Sequence, residues 1–130
     1  MIEWKAVFAV AIGAAIGGVA RYVVGQIFAQ RFGPGFPYGT LFINVTGSFL
    51  IGVVAELATS RAFGMTPLIR VFAATGLLGG YTTFSAFSLD ALVLVSDGAA
   101  LLAALYAAGS VALGVIAAYA GLVLARITIR

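Results

Sequence analysis

The feature of this sequence that most limits its fold is a set of long apolar blocks. Residues 99–125 contain no Asp, Glu, Lys or Arg, and three similar blocks occupy about residues 5–28, 38–59 and 68–95. A helix of roughly 20 apolar residues crosses the hydrocarbon core of a bilayer. The blocks lack the period-two alternation that a transmembrane β-barrel requires. The sequence therefore predicts an all-α integral membrane protein, in which residues 1–130 form a single domain of four transmembrane helices.

Composition removes several functional classes. Charged residues make up 8% of the chain against about 25% in a typical soluble domain, which is too few to cover a soluble surface. The chain contains neither Cys nor His, which excludes thiol chemistry and the commonest metal ligands. Its four acids, Glu3, Glu56, Asp90 and Asp97, are far apart and belong to no nucleophile–base set, so we do not expect an enzyme. The net charge of +3 includes no basic run of the nucleic-acid-binding type.

The distribution of basic residues bears on orientation in the membrane. The start of the chain lacks the basic region and cleavage site of a secretion signal, so we expect its first block to be the first helix. Four helices place both termini and the second loop on one side. That side carries Lys5, Arg61, Arg70, Arg126 and Arg130, and the other carries Arg21 and Arg31. The positive-inside rule favours cytoplasmic termini, whereas a chain that inserts in both orientations would have nearly equal counts.

Two lines of polar and small residues run along the second and fourth blocks. At four-residue spacing, which places side chains on one helix face, the lines are Thr40, Asn44, Ser48 and Gly52, and Tyr106, Ser110 and Gly114. The amide of Asn44 costs free energy in hydrocarbon unless it has a partner. That partner is either another helix or a passing ion, and the spacing leaves both open. Two such lines on different helices favour a shared polar track.

The first block carries Gly13, Gly17, Arg21 and Gly25 at the same spacing. Small residues on one face let helix backbones approach closely, so the glycines favour helix–helix packing. A charge inside an apolar helix usually faces a cavity, a partner or the interface. Arg21 therefore either faces a polar cavity or extends to the membrane surface from near the helix end.

The third block contains "GGYTTFSAFS", residues 79–88, which is unusually polar for a membrane span. Gly79 and Gly80 each lower helix stability by about 1 kcal/mol relative to Ala, and Thr82 and Thr83 add β-branching. We therefore predict a third helix that is broken near Gly79–Thr83. Broken backbone at membrane depth must be buried in protein or line water. Its carbonyls can then coordinate a cation, and its N–H groups can face an anion.

Two phenylalanines follow the predicted break on one helix face. Phe84 and Phe87 either pack against lipid and neighbouring helices or turn their partly positive ring edges toward an anion. Hydroxyls, one amide and ring edges suit conduction, because a fully charged pore would trap the ion. A proton-coupled carrier would instead need an embedded carboxylate, and Glu56 and Asp90 both lie near block ends. The residues alone thus favour an oligomeric pore or carrier for a small anion.

Three segments resemble one family of membrane proteins. "GGYTTFSAFSLD" (residues 79–90) is similar to the third-helix signature of the Fluc/CrcB fluoride channels, and "GTLFINVTGSFLIG" (residues 39–52) resembles their second-helix motif. "GAAIGGVARY" (residues 13–22) looks like their first helix. The resemblance covers all four helices in order and spacing. It implies a passive, selective channel by which microbes expel fluoride across the cell membrane, assembled as an antiparallel, dual-topology homodimer with two pores.

The resemblance also implies roles for individual residues. The fluoride pathway would be lined by Thr40, Asn44, Thr83, Phe84, Ser85, Phe87, Tyr106 and Ser110. Arg21 would lie near the aqueous entrance. The main-chain carbonyls of Gly79 and Thr82 would bind a structural sodium ion at the dimer interface.

Three positions depart from the family pattern. Ala86 and Gly114 stand where relatives often have a hydroxyl, and Asp90 stands where Glu is frequent. Because Gly114 has no hydroxyl, it puts in question the outer part of the polar line on the fourth helix.

Two other functions remain to be weighed. A small multidrug-type proton-coupled exporter would also have four helices, but it needs a carboxylate in the first helix, where the chain has only Glu3 before the apolar block. A structural or assembly subunit without transport would leave the cluster of Asn44, Tyr106 and the two phenylalanines without a purpose.

Overall fold

The computed structural model describes residues 1–60 and 63–129, and all of the regular secondary structure in these residues is helical. Its elements are α1 (Trp4–Phe32), α2 (Tyr38–Thr59), α3 (Pro67–Arg70), a π-helix (Val71–Leu78), α4 (Gly79–Tyr81), α5 (Phe84–Ser96) and α6 (Ala100–Ile129). Four stretches are long and apolar enough to cross a membrane: α1, α2, the third span (Pro67–Ser96) and α6. The prediction of an all-α protein with four membrane-spanning helices is therefore confirmed. Arg61 and Arg130, which entered the charge count, lie outside the described residues.

Glycines bring α1 against the third span. A Cβ atom on Gly13 would lie 2.8 Å from the Leu77 nitrogen, and one on Gly17 would collide with the Leu77 carbonyl. From the other side, a Cβ atom on Gly80 would lie 2.5 Å from the Ala14 oxygen. Because backbone atoms cannot move aside as a flexible side chain does, only glycine fits at these positions. The packing interpretation of the first-helix glycines is confirmed at Gly13 and Gly17.

The helices α2 and α6 form a second closely packed pair. A Cβ atom on Gly52 would collide with the Ala118 carbonyl, and one on Gly121 would collide with the Phe49 carbonyl. At one end of the pair, Arg126 donates from Nε and Nη2 to the two carboxylate oxygens of Glu56, at 3.1 and 2.9 Å. The fold is thus two glycine-packed helix pairs, and the break in the third span lies between them.

The third span is broken as predicted, but on the threonines and not on the glycines. Gly79 keeps helical angles (φ −64°, ψ −35°), whereas Thr82 (φ −79°, ψ 157°) and Thr83 (φ −151°, ψ 117°) are extended. β-Branched residues favour extended backbone. The Thr83 hydroxyl also accepts a hydrogen bond from the Ala86 N–H at 3.1 Å and so caps the start of α5.

The π-helix before the break has no counterpart in the sequence analysis. It covers eight residues, and the N–H of Gly79 after it donates to the carbonyl of Ala74, five residues earlier. A π-helix is rare, and its wider turn changes the rotational position of every residue that follows. It therefore helps to set which way the backbone of Gly79–Tyr81 faces when the break begins.

Candidate functional site

Asn44 of α2 holds the break by two hydrogen bonds. Its side-chain Oδ1 accepts from the N–H of Thr83 at 2.8 Å, and its Nδ2 donates to the carbonyl of the same residue at 2.9 Å. The interpretation of Asn44 as an interhelical hydrogen-bonding residue is confirmed. An amide nitrogen has two N–H donors, so one remains for another acceptor. Contact of that donor with a passing ion stays a prediction.

The same hydrogen bonds release two carbonyl groups. In a continuous helix the N–H of Thr83 would bond to the Gly79 carbonyl, and the N–H of Ala86 would bond to the Thr82 carbonyl. Here the first donates to Asn44 and the second to the Thr83 hydroxyl. The carbonyls of Gly79 and Thr82 thus lose their helical donors. They are the two groups for which the family resemblance implies a sodium ion.

A groove of about 360 Å³, which we call the central groove, lies between α2, the third span and α6. It is lined by seven of the predicted site residues: Asn44, Gly79, Thr82, Thr83, Phe84, Phe87 and Ser110. Ser48, which lies on the second-helix polar line, also lines it, although it was not among the predicted pathway residues. The structure therefore brings the second- and fourth-helix polar lines together beside the break.

Ser110 contributes an unsatisfied polar atom to the central groove. Its Oγ is buried and has no hydrogen-bond partner within the described part of the chain. A buried hydroxyl without a partner costs about 1–3 kcal/mol, so such groups are rare outside functional sites. The Ser48 hydroxyl of α2 lies close to α6, because a Cβ atom placed on Gly114 would be 3.4 Å from the Ser48 Oγ. The groove thus offers hydroxyl donors from both α2 and α6.

The two phenylalanines lie side by side on the groove. Their ring centroids are 5.4 Å apart at an interplanar angle of 44°. Phe84 is 79% exposed on this chain, whereas Phe87 is half-buried and contacts the Tyr106 ring at 5.2 Å. Both rings line the central groove, and their contact with fluoride stays a prediction.

Tyr106 contacts residues of both the central groove and a second cavity. This outer cavity has a volume of about 260 Å³ and is lined by Thr40 and Asp90, among others. Tyr106 is only 2% exposed, and its hydroxyl donates to Oδ2 of Asp90 at 3.4 Å. Tyr106 lines neither cavity, but its ring contacts Phe87 of the central groove and Phe36 of the outer cavity. Thr40 is thus part of the outer cavity and not of the central groove.

Two other predicted residues also line neither cavity. Ser85 is exposed, with its hydroxyl 3.2 Å from that of Thr83 at the start of α5. Arg21 is half-buried on α1. The one salt bridge among the described residues joins Arg126 to Glu56, so Arg21 forms none there. Its role at an aqueous entrance stays a prediction.

Tyr81 was the residue of the "GGYTTFSAFS" segment without a predicted role, and the structure supplies a contact for it. Its hydroxyl lies 3.1 Å from Oγ1 of Thr46 on α2. Since the Thr46 hydroxyl donates its one proton to the Phe42 carbonyl at 2.7 Å, Tyr81 is the donor. Tyr81 and Asn44 therefore fix the break to α2 on either side of Thr82. No signal in the sequence indicated this contact.

Comparison with known proteins gives one family and many relatives. The family model described as "CrcB-like protein, Camphor Resistance (CrcB)" matches residues 8–122. The protein named fluoride-specific ion channel FluC of Rhizobium meliloti (strain 1021) is 54% identical over 117 residues, covering 90% of this chain and 93% of that protein. The FluC proteins of Nitrobacter winogradskyi and Trichormus variabilis are 49% and 47% identical, over 97% and 92% of this chain and 99% and 87% of their own lengths.

Proposed function

The chain belongs to the CrcB-like family, and on that premise we propose that it is a fluoride-specific ion channel, not an enzyme. As a multi-pass membrane protein it would let fluoride leave the cell passively and so confer fluoride resistance. The observation that carries the proposal is the similarity to fluoride-specific channels across 90% or more of the chain.

The chemistry of the central groove supports an anion pathway. Its polar side chains carry hydroxyls and the Asn44 amide, and two aromatic rings line it beside them. Fluoride leaving water needs its hydration shell replaced by donors, but a full positive charge would hold it too tightly for conduction. We infer that the spare N–H of Asn44 and the unpartnered hydroxyl of Ser110 supply such donors. The edges of Phe84 and Phe87 would assist them, because each ring edge is partly positive.

The order of the two cavities suggests a route. Fluoride would cross the central groove, pass Phe87 and Tyr106, and reach the outer cavity beside Thr40. We propose Tyr106 as the narrow point, since its buried ring contacts Phe87 of the central groove and Phe36 of the outer cavity. Arg21 would attract the anion near one aqueous end.

A second copy of the chain would complete the groove. Phe84 and Gly79 are exposed on this chain, so the groove is open on one side. We propose that an antiparallel homodimer closes it, with two pores and dual topology.

The dimer would hold a structural sodium ion. Main-chain carbonyls freed at a broken helix are suitable ligands for Na⁺, and the Gly79 and Thr82 carbonyls have lost their helical donors to Asn44 and Thr83. Bound there, sodium would supply positive charge that neutralises carbonyl dipoles of both subunits.

Replacing sodium with a large organic cation during purification is expected to weaken the dimer and reduce fluoride flux. The physical reason is that N-methyl-D-glucamine cannot fit between carbonyl ligands, which would then repel one another. Dimer content is measured by light scattering after gel filtration, and a sample returned to sodium is the control. A dimer of equal stability and activity in both cations would contradict a central sodium site.

Efflux from liposomes tests the function itself. Vesicles loaded with fluoride are expected to empty rapidly without any proton gradient, whereas chloride-loaded vesicles retain their anion. A small multidrug-type exporter would release substrate only with a proton gradient, and an assembly subunit would release neither anion. The exporter is not favoured, because α1 contains no carboxylate and Glu56 is paired with Arg126. Release that requires a proton gradient would reject the channel.

A further inference from the structure

A continuous series of aromatic contacts runs from the α1–α2 loop to the central groove. Eight rings follow one another with centroid distances of 4.7 to 5.5 Å. In order they are Phe42, Phe28, Phe32, Tyr38, Phe36, Tyr106, Phe87 and Phe84. The series begins on Phe42 of α2, includes three rings that line the outer cavity (Phe28, Tyr38 and Phe36), and ends on the two phenylalanines that line the central groove.

Phe36 joins the two halves of this series. Its ring meets the Tyr106 ring edge-on, at a centroid distance of 5.4 Å and an angle of 82°. Tyr106 in turn contacts Phe87 at 5.2 Å. The buried Tyr106 ring therefore has a loop residue as one neighbour and a groove-lining residue as another. Edge-to-face contacts of this kind are favoured by the charge distribution of the rings, so they define an orientation as well as a distance.

The loop backbone holds Phe36 in a defined position. The carbonyl of Phe36 accepts from the N–H of Tyr38 at 2.8 Å, across Pro37 with φ −79° and ψ 59°. These are the angles of an inverse γ-turn, and the proline ring restricts φ to this region. Gly33 ends α1 with φ +73°, in the left-handed region that favours glycine. The γ-turn therefore fixes the backbone of Phe36 relative to the start of α2.

We propose that Phe36 is a positioning residue for the fluoride pathway, and that its ring acts through Tyr106 to set the orientation of the Phe87 ring. The proposal rests on the proposed function. Closely packed interiors transmit displacements, because a ring can turn only where its neighbours leave space. The hydroxyl of Tyr106 is held to Asp90 by a long hydrogen bond of 3.4 Å, which restrains its ring weakly. Without Phe36, Tyr106 would tilt into the vacated space and release Phe87.

The test compares two ring deletions in one aromatic series. Phe36→Leu removes the ring that contacts Tyr106, and Phe36→Tyr keeps a ring there. Phe32→Leu is the matched control, because Phe32 contacts Phe28 and Tyr38 but not Tyr106. Each variant is measured by fluoride efflux from liposomes. The ¹⁹F resonance of 4-fluorophenylalanine incorporated at position 87 reports the ring orientation directly.

We expect Phe36→Leu to slow fluoride efflux by about fivefold, which corresponds to the loss of one favourable ring pair. The variant should also shift or broaden the ¹⁹F resonance at position 87. Phe36→Tyr keeps most of the flux and the resonance, and Phe32→Leu changes neither. Should Phe36→Leu fail to assemble, Pro37→Ala loosens the γ-turn instead and is expected to shift the resonance in the same way.

Three results would overturn the proposal. In the first, Phe36→Leu assembles and keeps the wild-type rate. In the second, the rate falls while the resonance at position 87 stays in place, so that the effect does not pass through that ring. In the third, Phe36→Tyr behaves like Phe36→Leu. Absence of fluoride efflux from the wild-type protein would instead reject the proposed function, and the resonance would still test the coupling between Phe36 and Phe87.

Discussion

Asn44→Asp is expected to reduce fluoride flux by at least about a hundredfold, the effect of losing a hydrogen bond to a charged group worth ~3 kcal/mol. The variant has nearly the same shape and keeps the acceptor that binds the Thr83 N–H. It loses both N–H donors, however, including the one bonded to the Thr83 carbonyl and the one that we assign to fluoride. Its carboxylate would also repel an anion in the groove.

The matched control for this variant is Thr46→Val, which is also nearly isosteric. It removes the hydrogen bond between Thr46 and Tyr81, another link from α2 to the break, but Thr46 does not line the central groove. Flux in both variants is measured in liposomes after gel filtration has established that each assembles. Equal losses in the two variants would mean that Asn44 acts only by attaching the helices.

This comparison addresses the two roles that the sequence left open for Asn44. Spacing identified the residue, because an amide in an apolar helix requires a partner. It could not identify the partner, since Thr83 is 39 residues away and its N–H is available only because the helix breaks there. The amide both depends on the break and stabilises it, so a structural role and a pathway role can coexist in one side chain.

Other parts of the fold were predictable to different degrees for physical reasons. The four spans follow from apolar length alone, because the bilayer sets the length of a spanning helix. The break was predictable in its region, but its position at Thr82 and Thr83 was not. Propensity ranks glycine as the weaker helix former, whereas close packing of Gly80 against Ala14 keeps that glycine helical. Tertiary contact therefore overrode local preference.

Apart from the π-helix, the features that sequence reasoning missed are contacts between distant segments. Ser48 shares a polar line with Asn44, but its position on the groove depends on how α2 and α6 pack. The contact of Tyr81 with Thr46 and that of Phe36 with Tyr106 join residues 35 and 70 positions apart. The π-helix has no local signature in apolar residues. A single sequence carries no record of such pairings, which appear only when the helices are assembled.

Phe84→Ile and Phe87→Ile are each expected to slow fluoride flux by roughly tenfold, the effect of losing one favourable aromatic contact of up to about 1.5 kcal/mol. Isoleucine keeps the apolar bulk of the side chain but has no partly positive ring edge. The matched control is Phe8→Ile, which removes an exposed ring of α1 that does not line the central groove. Flux is measured in liposomes, and gel filtration establishes that each variant assembles as the wild-type protein does.

The two pathway variants should differ in their wider effects. Phe87 contacts Tyr106, so its replacement also removes a neighbour of the ring that we propose as the narrow point of the route. Phe84 is 79% exposed on this chain and makes its described ring contact with Phe87, so its replacement should leave Tyr106 in place. Tenfold losses of flux in both variants, with the flux of Phe8→Ile unchanged, would indicate that both rings interact with the passing anion. Wild-type flux in both would instead mean that these phenylalanines serve only as packing residues, and the donors of Asn44 and Ser110 would then have to carry the ion without aromatic help.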